Sequence, residues 1–164
     1  RQRRRHRAGA GVSAAPAACP LCREDGGLLL WRDDDWRVVR ALGPDVAEAP
    51  AWYRVVARVH VAEWSDLDAA AQARAMALVT TVERCMRATL VPTKINLASL
   101  GNVVPHLHWH VIARYDWDSR YPAPIWDAPR RASDAARLAA LHARLTACDA
   151  AIVRALDGQP SETA

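Results

Sequence analysis

The sequence predicts an α+β chain: one antiparallel sheet of about five strands, with a long helix and a C-terminal helix packed on it. Three observations predict it. Five runs rich in Val, Ile, Leu, Trp and Tyr are separated by turn-forming residues. Two longer stretches carry apolar residues at helical spacing. One run, His106-Leu107-His108-Trp109-His110-Val111-Ile112, alternates histidine with β-forming residues. A chain of 164 residues that is 51% apolar can fill one core.

In chain order, Leu28 to Trp31 and Trp36 to Leu42 read as two strands, with Asp33-Asp34-Asp35 at the hairpin tip. Tyr53 to Val61, with Val55, Val56, Val59 and Val61, is the third. Ser65 is placed to cap the long helix, with Asp68 three residues on. Ala75, Leu78, Val79, Val82, Cys85, Met86 and Leu90 form its buried stripe, and Pro92 ends it. Lys94 to Ala98 is the fourth strand. Gly101 to Pro105 turns the chain into the histidine strand, and so short a link makes the two antiparallel. Asp118 to Pro129 has three prolines with Tyr121 and Trp126, and reads as an ordered loop or lid. The last helix starts at Ser133, with a stripe of Leu138, Leu141, Leu145, Cys148 and Ile152. That stripe faces either the domain or a second copy.

An extended backbone places His106, His108 and His110 on one face and Leu107, Trp109 and Val111 on the core face. These are three of only six histidines. Imidazole titrates near neutral pH, so three in a row point to chemistry more than to packing. The alternative is a surface strand that is merely rich in histidine.

The run from Asn96 through Gly101 and Asn102 to His106-Leu107-His108-Trp109-His110-Val111-Ile112 resembles the signature of the histidine triad (HIT) family. The resemblance spans about residues 18 to 127 and implies a HIT-like fold. It implies a nucleotide hydrolase or nucleotidyl transferase, commonly a homodimer, acting on a small nucleotide. His108 matches the nucleophile, which would form a covalent nucleotidyl-histidine that water then cleaves. His110 matches the residue that assists the leaving group. His106 either orients His108 or binds metal. Asn96, Asn102 and the backbone amides around Gly101 and Val103 are the phosphate-binding candidates, suited to a developing negative charge; Asn96 matches the family's upstream Asn, and Asn102 stands where the family often has Gln. Two positions depart from the family: Ala51-Trp52 stands where Gly-His is usual, and Val103 replaces a Ser or Thr. Trp52 is then open to stacking on a base or to packing in the core.

The four cysteines do not form a secreted disulfide pattern, which predicts a reducing cytoplasm. Cys85 and Cys148 fall on apolar helical stripes and read as core. Cys19-Pro20-Leu21-Cys22 brings two thiolates within reach of one metal ion, and a closed zinc site needs two more ligands. His60 and His106 are the candidates, and zinc-containing members of the family use this pairing. The alternatives are an inert pair, a redox pair, or a catalytic zinc on the histidine row itself. Polyphosphate substrates would bring Mg2+ with them.

Residues 1–17 begin Arg1-Gln2-Arg3-Arg4-Arg5-His6-Arg7 and read as a disordered basic tail, and 158–164 as a frayed end. Without those five arginines the net charge passes from +4 to −1, so the basic balance belongs to the tail and gives the domain no nucleic-acid character. No apolar stretch suits a secretory signal or a membrane span.

The resemblance, with the histidine row, implies a hydrolase that opens a phosphoanhydride or phosphoramidate bond, of a dinucleoside polyphosphate-type substrate or of a nucleoside phosphoramidate. A transferase and a nucleotide-binding regulator with little turnover are the alternatives. The family's uridylyltransferases carry Gln at the third triad position. His110 there favours water as acceptor.

Overall fold

The computed structural model describes residues 19–158; the basic tail and all but the first residue of the frayed end lie outside the described residues. A short helical turn α1 (Pro20–Arg23) leads into β1 (Leu28–Arg32), β2 (Trp36–Arg40) and β3 (Ala51–Ala57). The long helix α2 (Ala69–Leu90), β4 (Lys94–Ala98) and β5 (His108–Arg114) follow. Two helices, α3 (Ala135–His142) and α4 (Leu145–Asp157), are the last elements among the described residues. The strands form one antiparallel sheet in the order β1-β2-β3-β5-β4. The α+β architecture expected from the sequence, one antiparallel sheet of five strands with a long helix and a C-terminal helix, is the one observed. Among the described residues no helix is long and apolar enough to cross a membrane.

Strand alternation splits the sheet into two faces. Trp36, Val38, Tyr53, Val55, Val111 and Ala113 meet Leu78, Val82 and Met86 of α2 and Cys148, Ile152 and Leu156 of α4 in the main core. Among the described residues, two small clusters cover parts of the other face. Cys19 and Leu21 pack on Val39 and Val56. The loop after β5 packs Ile125 on Trp52 and Ile112. His108 and His110 lie between these covers on β5, opposite Val56 and Arg54 of β3.

Several boundaries differ from the sequence reading. The third strand starts at Ala51, because Ala51 and Trp52 pair with Ala113 and Ile112. It ends at Ala57, where its partner β2 also runs out at Trp36. The fifth strand begins at His108, two residues late, because His106 N–H turns back to bond the Val104 carbonyl at 2.8 Å. Asp68, not Ser65, caps α2: its carboxylate accepts from Ala71 N at 2.8 Å, while Ser65 sits in a preceding 3-10 turn. Val91 ends that helix in the left-handed region, ahead of Pro92. The last helix is broken at Ala143 and Arg144 and is capped by Asp134. Its apolar stripe nevertheless runs unbroken, and Leu138, Leu141, Leu145, Cys148 and Ile152 are all buried in the domain. Cys85 is only half-buried, and its thiol bonds the Ala151 carbonyl at 3.6 Å.

Candidate active site

The three histidines are not one row of equivalent rings. Each is held by a different partner, and each partner sets where the ring hydrogen sits.

His106 is fully buried. Its Nε2–H donates to the Ala57 carbonyl at 2.7 Å, which leaves Nδ1 bare. That nitrogen lies 3.4 Å from both Cys19 Sγ and Cys22 Sγ, and His60 Nδ1 lies 3.4 Å from Cys22 Sγ. One donor atom from each of Cys19, Cys22, His60 and His106 falls within 4.8 Å of all the others. A tetrahedral zinc with Zn–S of about 2.3 Å and Zn–N of about 2.0 Å has S···N edges of roughly 3.5 Å, so the donor set fits that ion. His106 also has the tautomer a ligand needs, fixed by a carbonyl behind the ring. Arg37 is the anchor that sequence reading missed. Buried on β2, it donates to the carbonyls of Leu21, Glu24 and Asp25 and seats the cysteine turn on the sheet. Among the described residues, His108 and His110 belong to no such cluster.

His108 Nδ1–H donates to the His106 carbonyl at 2.6 Å. Nε2 therefore carries the lone pair. Burial holds this imidazole below the usual histidine range, and the Arg54 charge pushes the same way against the carbonyl bond. Ser99 Oγ–H donates to the His108 carbonyl at 2.9 Å and pins the strand from behind. A nucleophile at this position has to reach a phosphate ester. In the structure it is 9% exposed. A cavity of about 460 Å3 nearby lies largely on the other face, lined by Trp64, Met76, Leu100 and Trp109.

His110 stands edge-on to His108, ring centres 4.7 Å apart. Its Nδ1 accepts the Trp52 indole N–H at 2.8 Å. Burial, then His108, then Arg54 lower its pKa to about 3. Trp126, half-exposed on the loop after β5, lies edge-on to both His110 and Trp52 at 5.5 Å. Trp52 is thus neither a free stacking surface nor plain core. It touches a triad histidine.

The phosphate-binding candidates are less uniform. Asn96 shares the histidine face of the sheet, since it pairs with Ile112. Its Oδ1 accepts from Arg114 Nη1 at 3.0 Å, so the amide NH2 is left as the donor. Gly101 adopts φ +70°, which a side chain resists, in the loop that returns the chain to β5. Asn102 is exposed, and Val103 is 93% exposed. Arg114 was not found from sequence. It continues the even-numbered face of β5 and is 1% exposed. Its guanidinium pairs in two places with Asp118 and also donates to the Ala123 carbonyl. Asp118 accepts in turn from the amides of Tyr115, Arg120 and Tyr121. One buried ion pair thereby fixes both Asn96 and the Trp126 loop. Only the polar residue continuing the strand's alternation past Ile112 could have signalled it.

The HIT domain model matches residues 28–117. A histidine triad protein of Bradyrhizobium japonicum is similar, 27% identical with a TM-score of 0.61 over 79% of this chain and 90% of that one. One from Marinobacter aquaeolei is 23% identical, with a TM-score of 0.62 over 81% and 90%. A Zn-bound histidine triad family protein of Mycobacterium smegmatis shares the fold at 18% identity, with a TM-score of 0.53 over 82% and 97%. No curated protein matches the chain. Because the HIT domain model covers more than half of the sequence, including the whole histidine strand, the chain belongs to the HIT family.

Proposed function

We propose that this chain is a nucleotide hydrolase that opens a phosphoanhydride bond of a dinucleoside polyphosphate-type substrate or the phosphoramidate bond of a nucleoside phosphoramidate, through a nucleotidyl adduct on His108. Membership of the HIT family supports a nucleotide hydrolase or transferase kind of activity. The observation that carries the finer reading is the 2.6 Å bond from His108 Nδ1 to the His106 carbonyl, which leaves the lone pair on Nε2 of a ring that burial holds below the usual histidine range. Such a nitrogen is a nucleophile toward phosphorus. Its lone pair forms the P–N bond, and the bond to the leaving group breaks. Water then attacks phosphorus, the P–N electrons return to Nε2, and the proton of water passes to solvent. The Asn96 amide, the amides of Gly101, Asn102 and Val103, and the Arg54 charge, which reaches His108, are assigned to the phosphate oxygens. His110 at the third position favours water over a phosphorylated acceptor.

Cys19, Cys22, His60 and His106 are proposed to hold a structural Zn2+, a reading that their converging donors support. Such an ion crosslinks the cysteine turn, the segment after β3 and the residue whose carbonyl orients His108.

The test is nucleotide trapping. Wild type incubated with a labelled dinucleoside polyphosphate and quenched should carry acid-labile label on His108, and His108→Ala should carry none while losing at least about 10³-fold in kcat. A His108→Ala protein that hydrolyses at the wild-type rate would overturn the reading.

A further inference from the structure

The proposed reaction leaves the chemical class of the bond open, and the surroundings of His110 narrow it. This step rests on the reading of the chain as a His108-dependent hydrolase. An indole nitrogen is a donor only. The ring nitrogen that receives it at 2.8 Å, His110 Nδ1, must therefore be unprotonated. The one hydrogen of the ring sits on Nε2. A second proton cannot be added at Nδ1 without breaking the Trp52 contact, because two N–H groups would then point at each other. Trp52 is not free to swing away: it is 7% exposed and packed against Ala41, Ala49, Ile112 and Ile125. The other ionisable groups facing His110 are His108 and Arg54, and both disfavour a positive charge on its ring.

We propose that Trp52 is a positioning residue whose indole N–H locks His110 as a neutral Nε2–H donor, and that this lock restricts the enzyme to phosphoanhydrides and against phosphoramidates. A neutral imidazole N–H can hydrogen-bond to an oxygen, but giving its proton away would leave an imidazolate. Cleavage of a phosphoanhydride does not require that transfer. His108 Nε2 bonds to phosphorus, the bridging P–O bond breaks, and its electron pair stays on the departing phosphate oxygen, whose conjugate acid has a pKa of about 6. Cleavage of a phosphoramidate does require it. The P–N pair would leave on nitrogen as a strongly basic anion unless a proton arrived in the same step, and general acid help of this kind is worth about 10²–10⁴-fold.

Two measurements decide. In wild type labelled with 15N in its histidine rings, proton–nitrogen correlation should show His110 Nε2 protonated and Nδ1 bare. A protonated Nδ1 overturns the proposal whatever the activity. The second measurement compares kcat/KM for a dinucleoside polyphosphate and a nucleoside alkyl-phosphoramidate. Wild type should prefer the anhydride by about 10²-fold or more. Trp52→Phe keeps a ring but loses the donor, so it should narrow that ratio at least roughly tenfold by raising the phosphoramidate rate relative to the anhydride rate. An unchanged ratio in Trp52→Phe, or a wild type without preference, overturns the proposal. Cleavage of neither substrate overturns the hydrolase reading and the substrate class with it, while the ring-nitrogen spectrum decides the Trp52 contact independently.

Discussion

Single contacts, not the histidine count, give the site its character. His106, His108 and His110 share a side-chain type and a spacing, yet a carbonyl, a second carbonyl and an indole fix three different roles for their nitrogens. Asp118 is the clearest case of a residue acting through another. Burial alone would raise its pKa, but Arg114 and the amides of Tyr115 and Arg120 hold it below the usual carboxylate range. A carboxyl depressed in the folded state contributes stability above its unfolded pKa of about 3.9, and that contribution is lost as pH falls through the folded value. Asp118→Ala leaves the Arg114 charge buried and should cost about 3–5 kcal/mol by urea denaturation near neutral pH. The gap between wild type and Asp118→Ala should stay flat down to about pH 5 and close below about pH 4. A gap that widens in acid would refute the assignment. Neither Arg114 nor Asp118 was legible in the sequence as part of the site, because a charged residue past the end of an apolar run reads as surface until its partner is known.

Elements were more legible than their ends. The stripe from Ala75 to Leu90 marks the buried face of α2, and all its members but Cys85 are buried. Leu78→Ala should therefore cost about 2–5 kcal/mol in urea or thermal unfolding. Val103→Ala, in a loop and almost fully exposed, should stay within about 0.5 kcal/mol. Comparable losses at the two positions would mean that the core is assigned to the wrong face. Element ends were misread where tertiary partners decide them. β3 stops where β2 stops, and Asp68 caps because Gln72 holds the preceding turn through the Trp64 and Leu67 carbonyls. The break between α3 and α4 has no proline or glycine to announce it. The stripe that crosses it was readable because burial against α2 and the sheet preserves it.

At the scale of the whole molecule, one face of the sheet is sealed by helices and the other by two small covers with the histidines between them. The cysteine turn is one of those covers, so the candidate metal ligands and the histidines are mechanically linked. Protein purified without chelator should contain about one zinc per chain, and Cys19→Ser with Cys22→Ser should abolish it and lower Tm, read by metal analysis and calorimetry. Full retention of zinc in that double variant would move the ion to the histidine row. The sequence by itself determined the sheet, the two helical stripes, the four metal-site candidates and the nucleophile candidate, because alternation, helical period and side-chain chemistry are local properties. Only the tertiary structure decided which nitrogen of each imidazole is bare, that Trp52 touches His110, that Arg114 holds Asn96 and the loop, and how far His108 is covered. The Trp52–His110 and Arg114–Asn96 bonds join residues 58 and 18 positions apart along the chain, and no local pattern encodes a hydrogen bond across a sheet.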